Sequence, residues 1–125
     1  MQESKPKVPV FELCTASVQA VELAEKHQLK AIELCTDLQC GGVTPSMGFV
    51  RFARENFSGE LAILIRTRPG NFVYSPGEKR IMLDDVKKCL DLGVDAFVVG
   101  GLTTEGLIDE AFLEEILDVS CGLDL

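Results

Sequence analysis

Apolar residues in this chain fall into short runs, separated by stretches in which they recur every three or four positions. The first run, residues 8–14, and the second, residues 31–35, are too brief for helices. They are followed by the same residue, threonine, so that Glu-Leu-Cys-Thr occurs twice, at Glu12 to Thr15 and Glu33 to Thr36. Both runs read as strands. Between them Ser17 is placed to cap a helix with an apolar stripe of Val18, Val21 and Ala24, joined by Ala20 and Leu23, ending near His27 and Gln28. After the second strand comes a glycine-bearing loop, residues 36–46. Thr44 as cap and Pro45 in the first turn then predict a second helix with Phe49, Phe52, Ala53 and Phe57 on its buried side. Such a loop is expected to present free amides at the end of the strand.

Residues 61–65 are all apolar, as a strand covered on both faces should be, and they give way to Arg66-Thr67-Arg68-Pro69-Gly70. Ser75, Pro76 and Glu78 form a capping box for a third helix, in which Ile81, Met82, Val86, Cys89 and Leu90 recur at helical spacing up to Gly93. Residues 96–99 make a fourth buried strand. Gly100 and Gly101 follow it, and Asp109 caps a last helix with Phe112, Leu113, Ile116 and Leu117 on its apolar face. Four strand-helix units in succession predict an α/β fold with parallel strands joined by right-handed crossovers.

Side chains alternate across a strand, so Glu12 shares a face with Cys14, and Glu33 with Cys35. Glutamates pointing inward from consecutive strands suit a barrel interior better than a flat sheet packed with helices. The expected architecture is therefore a parallel (βα)4 half of a TIM (β/α)8 barrel, residues 1–125 forming one domain. Half a barrel leaves its first and fourth strands with open edges, which calls for a homo-oligomer or for the missing C-terminal half.

Composition narrows the partners. The chain has 125 residues, 46% of them hydrophobic, enough for a core of its own, and a net charge of −8 that argues against nucleic acid and anionic membranes. No apolar run reaches the length of a membrane span. Five cysteines (Cys14, Cys35, Cys40, Cys89, Cys121) without a CxxC pair fit a reducing compartment, and a cytoplasmic location is expected. Of these, Cys89 falls on a helical stripe and reads as core. Cys40 reads as an exposed loop thiol or a third ligand, and Cys121 has no assignable place. His27, the only histidine, sits where it favours a helix dipole and takes no catalytic role.

The remaining polar residues allow two readings. Glu12 and Glu33, if close together and uncompensated, would keep one proton near neutral pH, as a general acid needs; paired with Arg66 or Arg68 they would be structural. Arg66 and Arg68, with amides from Gly41 and Gly42, the helix start at Ser46, and Tyr74 over the same mouth, would suit a carboxylate or phosphate.

The two ELC strands, Gly41-Gly42-Val43-Thr44-Pro45-Ser46, the run from Ile65-Arg66-Thr67-Arg68 to Val73-Tyr74-Ser75, and Val99-Gly100-Gly101-Leu102 followed by Gly106 and Asp109 together resemble the N-terminal half of the CutC copper homeostasis family. The resemblance runs from about residue 11 to residue 109. It implies a TIM barrel and copper ligands at Cys14 and Cys35, where soft thiolates would favour Cu(I). It departs at Lys30-Ala31, where the family usually carries an Asp-Arg pair, and in lacking the family's second half. Cys14 and Cys35 read equally as two small buried hydrophobes. The expected ligand is a copper ion or, in the enzyme reading, a small anionic metabolite turned over by Glu12 and Glu33.

Overall fold

The computed structural model describes residue 4 and residues 7–120. Its elements alternate: strand β1 (Glu12–Thr15), helix α1 (Val18–Lys26), β2 (Ala31–Leu34), α2 (Met47–Asn56), β3 (Glu60–Ile65), α3 (Pro76–Asp91), β4 (Ala96–Val99) and α4 (Glu110–Val119). The strands form one sheet in the order β1-β2-β3-β4, and all three pairings are parallel. This is the expected (βα)4 half of a TIM barrel.

The helices cover one face of the sheet. Ile32, Leu34, Leu61, Ile63, Ile65 and Phe97 point under them and meet Val21, Ala24, Val50, Ala53, Met82, Val86, Phe112 and Ile116 in a single core. The opposite face carries Glu12, Cys14, Glu33, Cys35, Ala62, Leu64, Ala96 and Val98, and in a closed barrel it would line the interior.

Three local expectations change. Residues 8–11 are not strand, because β2 begins opposite Glu12 and offers nothing earlier to pair with; Val10 and Phe11 remain 78% and 69% exposed. The second helix is capped by Ser46, whose hydroxyl accepts from the Phe49 amide, and not by Thr44. Thr44 is committed elsewhere: its hydroxyl oxygen accepts from the Arg66 amide at 2.8 Å and its own amide donates to the Arg66 carbonyl. In α1 only Val21 and Ala24 of the predicted stripe are buried, while Val18 and Leu23 face outward. In α3 and α4, Ile81 and Leu117 are likewise exposed. The capping box at Ser75 and Glu78, the Ser17 cap and the Asp109 cap form as read.

Candidate functional site

The two Glu-Leu-Cys-Thr motifs lie side by side but not level. In the parallel ladder Glu12 is opposite Ala31 and Cys14 is opposite Glu33. The motifs are therefore offset by two residues, the stagger that a barrel requires of its strands. This offset puts Cys14 beside Glu33 and brings its sulfur to 4.0 Å from that of Cys35. Cys14 is exposed and Cys35 is buried, where its thiol can donate to the Thr15 carbonyl at 3.6 Å.

The pair is too far apart along the sheet to form a relaxed disulfide. Neighbouring strands about 4.8 Å apart, with a two-residue offset of roughly 6.6 Å, place the two Cα atoms about 8 Å apart. A bridge needs less than about 7 Å. The sulfurs lean toward each other across a gap suited to a shared third atom.

Burial pushes the Cys35 thiol up to about 12, with the neighbouring Cys14 adding to the effect and Glu33 and Cys40 contributing less. Gly42, at φ +90°, packs over it: a Cβ there would stand 3.0 Å from a Leu64 methyl and 3.5 Å from the Cys35 sulfur. Glu33 is half-buried, and its pKa is raised by desolvation first, then by repulsion from Glu12 and by a hydrogen bond that its protonated form makes to Glu12. Among the described residues no ion pair includes Glu12 or Glu33; the three present join Arg54 to Asp95, Arg68 to Glu78 and Lys79 to Asp109.

The arginines are engaged with the loops. Arg66 donates to the carbonyls of Cys40 (3.0 Å), Gly42 (2.8 Å) and Gly70 (2.9 Å), and lies over the Phe72 ring at 5.2 Å. Its Nε is the one buried side-chain donor among the described residues without a partner. Arg68 forms a fork onto the Glu78 carboxylate at 2.7 and 3.2 Å, donates to the Asn71 and Val73 carbonyls, and stacks over Tyr74 at 5.1 Å. Tyr74 is buried, and that burial raises its pKa against the pull of both guanidinium groups.

The loop amides are also spent internally. The Gly41 amide donates to Leu38 and that of Gly42 to Asp37, because residues Leu38–Cys40 close into a single 3-10 turn. The expectation of free amides at Gly41 and Gly42 is thus corrected: a tight turn consumes its own donors. Cys40 donates its thiol to the Asp37 carbonyl at 3.1 Å, Cys89 lies in the core against Met47, and Cys121 is outside the described residues.

Sequence reasoning missed the bond from Thr44 to the Arg66 backbone, Phe72 and the second role of Glu78. The capping box was a usable signal for Glu78, since its carboxylate must lie near the end of the arginine-bearing loop. Nothing local marks Thr44 or Phe72. Among the described residues, no three His, Cys, Asp or Glu side chains gather into a metal-binding group and no helix is long and apolar enough to cross a membrane.

Comparison with known proteins agrees with this layout. A CutC family protein of Bacteroides fragilis is 39% identical over 117 residues, covering 93% of this chain and 47% of its own length. One from Glaesserella parasuis is 38% identical over 114 residues, again covering 47% of its length. The chain spans about half the length of the curated relatives it matches. A crystal structure from Streptococcus agalactiae, provisionally named as the copper homeostasis protein CutC, superposes with a TM-score of 0.85 at 35% identity, covering 91% of this chain and 56% of that one. With the model of the CutC family matching residues 9–125, the chain belongs to the CutC family.

Proposed function

We infer that this chain serves copper homeostasis by binding Cu(I) through Cys14 and Cys35. The supporting observation is the 4.0 Å separation of the two sulfurs on one sheet face. Thiolate-metal bonds of about 2.3 Å span that gap through a single ion, and soft sulfur selects Cu(I) over harder cations. The donor set fits: both ligands are free thiols, and the backbone offset that hinders a disulfide leaves them available.

When bound, the ion would supply the charge that stabilises two neighbouring thiolates. Cys35 contributes a thiol held protonated by burial, so uptake must release a proton, and affinity rises with pH. Cys14, being exposed, receives the incoming ion first. Free thiols and Cu(I) both belong in a reducing compartment, which makes the cytoplasm the proposed location.

Titration of the reduced protein with Cu(I) against a chromogenic chelator tests this. A Cys14→Ser/Cys35→Ser variant should lose at least tenfold in affinity, and each ion bound by the parent should release protons measurable in weak buffer. Equal affinity in parent and variant overturns the reading.

One observation favours a second reading: the raised pKa of Glu33 beside Glu12 is what a general acid requires. In that reading the face is a TIM-barrel active site for a small carboxylate or phosphate metabolite. Glu12 and Glu33 exchange protons, and Arg66 meets the anion, while Arg68, Gly41, Gly42, Ser46 and Tyr74, whose polar groups are engaged or buried, shape the loops around it. Arg66 Nε is the donor still available to it. A shift of the Arg66 Nε resonance on adding inorganic phosphate would support this reading, and an unmoved resonance would remove it.

A further inference from the structure

We propose that Cys40 supplies a third thiol to the pair Cys14 and Cys35, so that a bound soft ion is held by three sulfurs in a trigonal plane. The proposal rests on the copper reading of that pair and adds to it a ligand from the loop that follows β2.

The separation of the pair is what calls for a third sulfur. Two metal-sulfur bonds of about 2.3 Å laid end to end span about 4.6 Å, the distance a linear two-thiolate site needs. The sulfurs stand 4.0 Å apart, and bonds of about 2.3 Å across that gap meet at an angle of about 120°. That is the angle between two ligands of a trigonal plane, and it leaves one corner to fill. A soft ion takes a sulfur there in preference to the carboxylate of Glu33, although Glu33 lies directly beside Cys14 in the sheet.

The fold brings Cys40 to the same end of the strands. Residues 37–42 make a short loop, closed by the mutual backbone bonds of Thr36 and Val43 immediately after Cys35. Gly41 and Gly42, at φ +92° and +90°, turn this loop back so that Gly42 packs over the Cys35 sulfur. The carbonyls of Cys40 and Gly42 accept from the same Arg66 nitrogen, at 3.0 and 2.8 Å, which ties Cys40 to the residue that covers Cys35. Charge on Cys40 is felt at the Cys35 thiol, where it adds to the upward push on the pKa.

In the structure the Cys40 thiol is turned to the Asp37 carbonyl at 3.1 Å, so joining the pair requires its side chain to rotate. That rotation costs little. A thiol is a weak donor, the contact is exposed, and water can take its place at the carbonyl. The backbone bonds of Cys40, Gly41 and Gly42 that hold the turn are left intact. Arg66, against the Cys40 carbonyl, sets a positive charge beside the incoming thiolate. Uptake breaks three S–H bonds and forms three S–Cu bonds; the protons pass to solvent, and no electron is transferred.

X-ray absorption at the copper edge counts the sulfurs directly. The protein is reduced, desalted and loaded with a Cu(I)-acetonitrile salt under nitrogen, so that every sulfur belongs to the chain. The parent should show three sulfurs around copper, Cys40→Ser two, and the control Cys121→Ser three. Serine can keep the bond to Asp37, and an unchanged thermal midpoint checks that the variant folds as the parent does. Two sulfurs in the parent, or three that persist in Cys40→Ser, overturn the proposal while leaving Cu(I) on Cys14 and Cys35. Parental affinity in Cys14→Ser/Cys35→Ser overturns the copper reading and this proposal together.

Discussion

At the scale of single residues the site is governed by which protons burial retains. Glu33 has a folded-state pKa above its unfolded value, so the folded protein prefers the neutral carboxyl. Its contribution to stability is therefore greatest below the unfolded pKa, near 4.5, and is lost as pH rises through the folded value. Glu33→Gln removes that loss. Chemical denaturation at pH 7 should show the variant more stable than the parent, and at pH 4 the difference should shrink toward zero. A gain that is the same at both pH values would place the effect in packing instead. Cys35 obeys the same sign at higher pH, since its thiol is pushed up to about 12, and stability should fall as pH rises from about 9 toward that value. The fall should be shallower in Cys35→Ala, as followed by the denaturation midpoint across that range.

Among the elements, the connections are held as firmly as the strands. Arg66, at the end of β3, grips three carbonyls in the two loops on either side, and Thr44 clamps the backbone of the same residue. A lysine keeps the charge but cannot fork among three acceptors. Arg66→Lys should cost about 1.5–3 kcal/mol, the range for losing a charged hydrogen bond, and should speed amide exchange in residues 40–43. Ser75→Ala removes half of the capping box on α3 and should cost about 1 kcal/mol in a denaturant titration. Exchange rates unchanged by Arg66→Lys would mean that the loop holds itself through its own turn hydrogen bonds.

For the whole molecule, the division between centre and edge sets the pattern of protection. β2 and β3 are bonded on both sides and carry most of the fully buried strand residues, so their amides should exchange slowest. Amides of β1 and β4, each bonded on one side among the described residues, should exchange faster than those of β2 and β3. Residue-resolved hydrogen exchange decides this. Equal rates in all four strands would count against it.

How much of this could be read from the amino acids depends on the range of the forces involved. Strands and helices follow from local periodicity and from side chains that cap neighbouring amides, so the four strand-helix units, the Ser75 and Glu78 box and the core positions Val86 and Cys89 are evident in the chain itself. That Glu12 shares a face with Cys14, and Glu33 with Cys35, is also local, since it needs only alternation within one strand. Their offset by two residues, the partners of Arg66 and Arg68, and the transfer of the cap from Thr44 to Ser46 were settled by tertiary structure. The strand register and the Arg66 contacts to Thr44 and Gly42 join segments about twenty positions apart, and the Arg68–Glu78 pair joins residues ten apart; register, stagger and competition for hydrogen bonds exist only once strands and loops lie beside one another.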